Sequence, residues 1–512
     1  MTQARRWERF LALGSHGVLY ALVLLLIWGQ EVLPVTNEPT LAHATRIFHA
    51  LRMGDAGTAQ WYTLRPIWTE VGFYWLAHWL QLVFSNSHTL KILESAAVIG
   101  IASGTALLLK SNGRSPLLSV LAVPLALGTL FQIGYLPFLL GVPLVLVGLS
   151  LAEVAANLEN QRLARAARAG ALGLLCAAFW FHAVLALIFG VLLGAALLMR
   201  KGSRRERTVE IVLVLGVMVS GLAVSVGADS PLGSSDPLQP PALGQSLGEF
   251  ALDFMQWTTR GADHNVLIAF GLALISPFLV FERRQDRLEL SYRRPLVLLA
   301  LTSVAYLSLS RNFASPWQAL GAGGWMPLFA GLLAVVCVPY RVRRARDALA
   351  AIPAFVFAAL HCMALYLPFR QFADDAAGLD RVAAAITRGS TVLPLSYQEA
   401  TDGPGRTPFG HFLHEPYRQL ARWTAARASA YQPYSLCGLP RYPVSCRRKL
   451  SKPDDTKPWL LKESDLTDYR SVVVFADGNP AHRRATRERF ARLSMDVTLE
   501  LGNWQLWGIT GR

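Results

Sequence analysis

Between Phe10 and Leu367 the chain returns repeatedly to uncharged runs of about 16 to 20 residues, each close to the length a helix needs to cross a bilayer. With 53% of 512 residues hydrophobic and only 16% charged, a water-soluble fold of this size is excluded. The chain reads as mainly α, a polytopic α-helical membrane protein. Its formal net charge of +15 could suggest a nucleic-acid partner, but the basic residues sit in short clusters between apolar runs. That pattern sets topology, so no nucleic-acid partner is expected.

The first span covers Phe10–Trp28, behind Arg5, Arg6 and Arg9 and without a small-residue cleavage site after it. It reads as an uncleaved signal anchor with the N-terminus cytoplasmic. Ile67–Phe84 looks like a second crossing but contains Glu70, His78 and Gln81 among crowded tryptophans, a pattern that suits a helix lying in the interface. Charge decides. If this segment lies flat, Lys110/Arg114, Arg162–Arg168, Arg200–Arg207, Arg283–Arg294 and Arg341–Arg346 all fall inside; if it crosses, Lys110/Arg114 and Arg162–Arg168 fall outside.

The flat reading gives further spans near Leu90–Leu109, Pro116–Leu130, Tyr135–Ala155, Ala167–Phe181, Ala183–Met199, Val209–Val226, Asn265–Phe281, Pro295–Leu309, Trp325–Tyr340 and Leu349–Leu367. With the first, that makes about eleven crossings and an outer C-terminus. Ala167–Met199 must then be a hairpin of two short helices turning near His182.

Two domains are expected: residues 1–368, whose outer loop spans 30–89, and an extracytoplasmic α/β domain over 369–512. In the latter, Leu379–Ile386 reads as a helix, Thr391–Tyr397 as a strand and Pro416–Ala428 as a helix opened by proline. Ser471–Ala476 follows as a strand, Ala481–Leu493 as a helix, and Asp496–Leu501 and Trp504–Ile509 as strands joined at Gly502-Asn503. Cys437 and Cys446 lie in this polar part and are candidates for a disulfide, whereas Cys176, Cys337 and Cys362 lie in apolar runs.

Polar chemistry concentrates in the outer loop. Asn37 is a good N-cap, Glu38 and Pro39 suit a first helical turn, and Gly54 a stop. Leu41, Ala44, Ile47, Phe48 and Leu51 fall on one side, and His43, Arg46 and His49 on the other, as in an amphipathic helix on the membrane surface. A carboxylate there can take a proton from an incoming hydroxyl while cations hold a phosphate. The bland alternative is that Glu38 complements the helix dipole and Arg46 and Arg52 meet lipid head groups. Arg65 and Arg311 are further candidates for phosphate and His182 for a site role, against head-group anchoring and a polar turn. No metal-ligand spacing, phosphate-binding glycine loop or nucleophile elbow is visible.

Asn37-Glu-Pro-Thr-Leu-Ala-His-Ala-Thr-Arg46 resembles the loop motif of the GT-C superfamily of integral-membrane glycosyltransferases, an acid followed by a proline and then His and Arg on a helix. Arg65-Pro-Ile-Trp68, the aromatic segment after it and the span from Lys91 to Leu109 continue the likeness. Arg388-Gly-Ser-Thr-Val-Leu-Pro-Leu395, Tyr431-Gln-Pro-Tyr434 and Gly502-Asn-Trp-Gln-Leu-Trp507 resemble bacterial members with a small outer domain. The family acid is usually aspartate. Here the acid is Glu38, and strict register on His43 and Arg46 sets Pro39 opposite it.

The resemblance implies a bacterial inner-membrane hexosyl- or pentosyltransferase that uses a polyprenyl-phosphate sugar as donor, with or without a divalent metal. The acceptor would be a glycan, protein or lipid outside. Glu38 would be the base, and His43, Arg46, Arg65, Arg311 and His182 would bind substrate among membrane lipids. Two other classes compete: a catalytically silent scaffold of the same fold, and a secondary transporter. The acids within spans, Glu94, Glu153 and Glu210, all lie close to span ends, which disfavours transport.

Overall fold

The computed structural model describes residues 3–66, 70–199, 204–225, 259–260, 263–280, 290–308, 325–342, 345–396, 406–407, 410–412, 416–435, 437, 442–476 and 480–509. Arg311, Arg283 and Arg284 lie outside the described residues.

The chain opens with α1 (Gln3–Trp28), followed by α2 (Glu38–Arg52), α3 (Ala56–Trp61), β1 (Tyr62–Leu64), α4 (Val71–Gln81) and α5 (Asn86–Ser111). A 3-10 turn at Pro116–Leu121 leads into α6 (Ala122–Ala126) and α7 (Thr129–Ile133). Then come α8 (Leu136–Asn157), α9 (Gln161–Phe181), α10 (Ala183–Leu198), α11 (Arg204–Ser225), β2 (Thr259–Arg260), α12 (Asp263–Val280), α13 (Leu290–Ser308), α14 (Met326–Cys337) and α15 (Ile352–Asp375).

Among the described residues, Arg6–Trp28, Asn86–Ser111, Pro116–Ile133, Leu136–Asn157, Gln161–Phe181 and Asp347–Ala385 are long and apolar enough to cross a membrane. Shorter apolar helices cover Ala183–Leu198, Asn265–Pro277, Arg294–Ala305 and Met326–Cys337. The fold is polytopic and helical, as the apolar runs require. Pro116–Ile133 is not one helix. Pro116 and Pro124 lack amide donors, and Gly134, at φ +87°, ends α7 in the left-handed region.

Contacts between spans fix their directions. Tyr20 meets Ser103 at 2.9 Å and Trp28 meets Ser95 at 3.1 Å, so α1 and α5 are antiparallel. The whole stretch between them therefore stays at one end of the bundle. Within it α4 has 11 residues and rises only about 16 Å, against a hydrocarbon core of about 30 Å. α4 is thus too short to cross, in keeping with the flat reading of this segment.

Gly141 packs against Phe181 and Leu185, Gly148 against the Phe189 ring, and Gly170 against Leu151. These contacts run α9 antiparallel to α8 and α10 parallel to it, which makes α9 and α10 a hairpin turning at His182.

The basic clusters gather at the opposite end. Gly113 lies against the Arg341 guanidinium, and the Ser115 N–H donates to the Tyr340 carbonyl at 2.9 Å. Arg165 pairs with Glu206 at 2.9 Å and Arg294 with Glu153 at 2.9 Å. Leu108, Asn112, Glu153, Pro295 and Val336 line one cavity there, which places those helix ends together.

The C-terminal part contains α16 (Leu379–Ala385), β3 (Val392–Ser396), β4 (Arg406–Thr407), β5 (Gly410–Phe412), α17 (Pro416–Leu420), α18 (Arg422–Ala428), β6 (Val444–Cys446), β7 (Ser471–Phe475), α19 (Pro480–Arg492), β8 (Met495–Leu501) and β9 (Trp504–Ile509). The expected helix over Pro416–Ala428 is two short helices that break at Ala421. The main sheet has the order β3-β7-β9-β8, with β3 and β7 parallel and the other pairs antiparallel. Pro394 sits in β3 at the sheet edge, where its missing N–H leaves no ladder bond unmade.

Side chains alternate across the sheet with period two. Val473, Phe475, Trp504 and Leu506 join the core of the helical part, and Leu393, Val472, Val474 and Trp507 form a second core with Phe490 on α19. A second link is a strand pair: β1 pairs antiparallel with β6, Tyr62 opposite Cys446, whose disulfide with Cys437 lies within the C-terminal part. The outer loop and the C-terminal part thus share one end of the molecule.

Candidate functional site

α2 is held by its N-terminus. The amides of Thr36 and Asn37 donate to the carbonyls of Gln132 and Ile133 at 2.8 and 3.0 Å, clamping the helix start against α7. Asn37 is the N-cap, Glu38 begins the helix, and Pro39 occupies a first-turn position.

This start buries Glu38 to 3% exposure. Its carboxyl hydrogen-bonds that of Glu94 on α5, with the Lys91 ammonium and the Arg427 guanidinium of α18 close by. Lys91 in turn donates to the Gln30 carbonyl. Arg427 pairs with Asp380 of α16, and with Glu31 at 3.6 Å. Glu38 and Glu94 line a cavity walled by Val35, Leu41, Phe131, Leu136 and Leu139. Burial pushes the Glu38 acid up to about 8 despite the opposing pull of Lys91 and Arg427. A carboxyl so placed is a proton acceptor matched to a hydroxyl at mildly alkaline pH.

His43 and Arg46 do not meet Glu38. Both reach the carbonyl of Ala430, His43 through Nε2 at 3.1 Å and Arg46 through Nη2 at 3.2 Å. His43 is fully buried, edge-on to Tyr62, and burial with Arg46 alongside pulls it down to about 3, so it is neutral. Burial lowers Arg46 to about 10, still a cation at neutral pH. The polar face of α2 is therefore covered by the segment after α18 and does not lie open on the membrane surface. Amphipathicity shows that a face is polar; it does not show what covers it.

The other expected residues are spread around this end. The Arg65 amide donates to the Pro443 carbonyl at 2.8 Å, extending the β1 and β6 pairing, and its side chain is half-buried. His182 closes the hairpin of α9 and α10 and pairs through Nε2 with Glu70 Oε1 at 3.3 Å, both groups buried. Phe138 and Trp325 enclose the His182 ring at 5.4 and 5.1 Å between centroids. Glu70 holds φ at +59°, a strained value for a residue with a Cβ.

Among the described residues no group of three or more His, Cys, Asp or Glu could hold a metal ion, so the donor set for a divalent metal is not assembled there. Three groups around Glu38, namely Lys91, Glu94 and Arg427, lie outside the outer-loop motif. Lys91 and Glu94 stand three residues apart at the start of a span, a spacing that puts two charges on one helix face and is itself a signal. Arg427 carries no such mark.

No protein-family model matches the sequence, and no curated protein matches it either. Two solved structures of ArnT from Cupriavidus metallidurans are similar over the whole chain. The apo state has a TM-score of 0.51 at 11% identity, covering 99% of this chain and 99% of that one. The structure bound to undecaprenyl phosphate has a TM-score of 0.47 at 10% identity, covering 98% of each. The fold rests on the former. From its first span to its terminal sheet, the chain shares the fold of that apo ArnT structure.

Proposed function

We propose that this protein transfers a sugar from a polyprenyl-phosphate donor to a hydroxyl-bearing acceptor on the outer side of a bacterial inner membrane. Positive residues favour the cytoplasmic face, so the end that gathers Arg114, Arg165, Arg294 and Arg341 is inside, and the Glu38 end with the 369–512 domain is outside. Deprotonated Glu38 takes the acceptor proton as the acceptor oxygen bonds to the anomeric carbon, and the lipid phosphate leaves with the electrons of the broken bond. Arg65 and Arg311 hold that phosphate. His43 and Arg46 act indirectly, by fixing the C-terminal segment over α2, and His182 shapes the site through Glu70.

The observation that carries this reading is the buried Glu38 carboxyl, flanked by Lys91 and Arg427, on the first helix after the first span of a chain with this fold. The test uses the purified full chain in liposomes that contain a polyprenyl-phosphate sugar and candidate acceptors. Release of polyprenyl phosphate with sugar on the acceptor is expected. Intact donor across a panel of sugars would end the proposal. The near-complete burial of Glu38 favours, as a second reading, a catalytically silent scaffold. Capture of a stable envelope partner by a chain that turns over no donor would support it.

A further inference from the structure

Glu94 belongs to no motif of the outer loop, yet it is the group in hydrogen-bond contact with Glu38. A hydrogen bond between two carboxyls requires a proton on one of them. Two carboxylates side by side in an apolar enclosure do not both ionise, because each charge raises the cost of the other. The walls here are apolar, and Glu38 and Glu94 are 3% and 2% exposed. One further oxygen of each, Oε2, is buried without a partner beside the cavity they line.

Around the pair, α5 contributes Lys91, and α18 contributes Arg427, itself neutralised in part by Glu31 and Asp380. The α7 and α8 side presents Phe131, Leu136 and Leu139. Lys91 is tied to the Gln30 carbonyl, one helical turn before Glu94.

We propose that Glu94 is the positioning residue for Glu38: it keeps the proton the two carboxyls share and donates it as a hydrogen bond, so that a single oriented carboxylate is left to receive the acceptor's proton. The inference rests on the transferase reading for its role in turnover, but the shared proton can be observed without any substrate.

Glu94→Gln keeps a hydrogen-bond donor and removes the proton; Glu94→Leu removes both. The full chain in lipid nanodiscs is titrated by infrared spectroscopy, following the carboxylic C=O stretch, and the pH dependence of sugar transfer is measured for each variant. In the wild-type chain a protonated carboxyl is expected to persist above the pH at which Glu38 ionises, and to vanish in Glu94→Gln. The acid limb of turnover is expected to lie about one pH unit higher in Glu94→Leu than in Glu94→Gln, with transfer slower by up to about tenfold at neutral pH. Glu94→Met replaces the leucine variant if the latter does not fold.

Loss of no carboxyl band in Glu94→Gln, or identical acid limbs in the two variants, would overturn the proposal. A band that behaves as expected in a chain that transfers no sugar would sustain the shared proton and end the transferase reading. Normal transfer with no shared band would do the reverse.

Discussion

Trp28, the last residue of α1, donates its indole N–H to Ser95 Oγ on α5 across 3.1 Å, and its ring stacks on His88 at 5.8 Å. The two spans therefore meet at the same level, and the 57 residues that separate Trp28 from Asn86, being Gly29 to Ser85, stay on one side. Cysteines placed at Gln60 and Lys110, in a chain with Cys176, Cys337 and Cys362 changed to serine, should label from opposite faces. A membrane-impermeant maleimide should reach Gln60→Cys in spheroplasts and Lys110→Cys only in inverted vesicles. Labelling of both from one face would contradict the arrangement.

The His43 contact makes stability depend on pH in a stated direction. Burial holds His43 down to about 3, from an ordinary value of 6.5. Its contribution is thus complete above about pH 6.5 and is lost as pH falls from there toward 3, because the unfolded chain takes up the proton first. His43→Gln keeps a donor for the Ala430 carbonyl but does not titrate. The melting temperature of the wild-type chain should fall more steeply between pH 6.5 and 4 than that of the variant, and at neutral pH the variant should lose about 1 kcal/mol. Parallel curves would show that His43 is not buried neutral.

Apolar run length located the spans, and charge placement alone kept Ile67–Phe84 out of the bilayer, because the positive-inside bias is a property of whole loops. The His182 turn followed from the need to keep both flanks of Ala167–Met199 on one side, and Gly502-Asn503 from the left-handed backbone a tight hairpin needs. What stayed hidden was tertiary. Ala430, which His43 contacts, lies 387 residues further along the chain, and no local pattern links the two. Glu94 was visible as an acid near a span end, but only packing shows that it faces Glu38.

The Cys437 and Cys446 pair closes a short loop whose second cysteine sits in β6 opposite Tyr62. Changing both to serine should lower stability by about 2 to 3 kcal/mol, the loop-closure entropy of a link this short. It should also speed proteolysis between β6 and the outer loop. Unchanged melting under reducing conditions would show that the β1 and β6 pairing alone suffices.

Gly148 on α8 leaves room for the Phe189 ring of α10, and a Cβ there would overlap it. Gly148→Ala should destabilise the folded chain by about 1 to 3 kcal/mol through displacement of that ring, and Gly148→Ala combined with Phe189→Leu should recover part of the loss. Equal melting temperatures for Gly148→Ala and the wild-type chain would place the two helices further apart than described.

Sugar transfer by the Glu38→Gln chain, set against the wild type in the same donor-containing liposomes from pH 6 to 9, weighs the central claim. The wild-type rate should climb through about 8 as the acid ionises, while the glutamine variant, folded and equally thermostable, should be slower by about 100-fold or more with no such rise. A variant that transfers sugar at the wild-type rate would remove Glu38 from the chemistry.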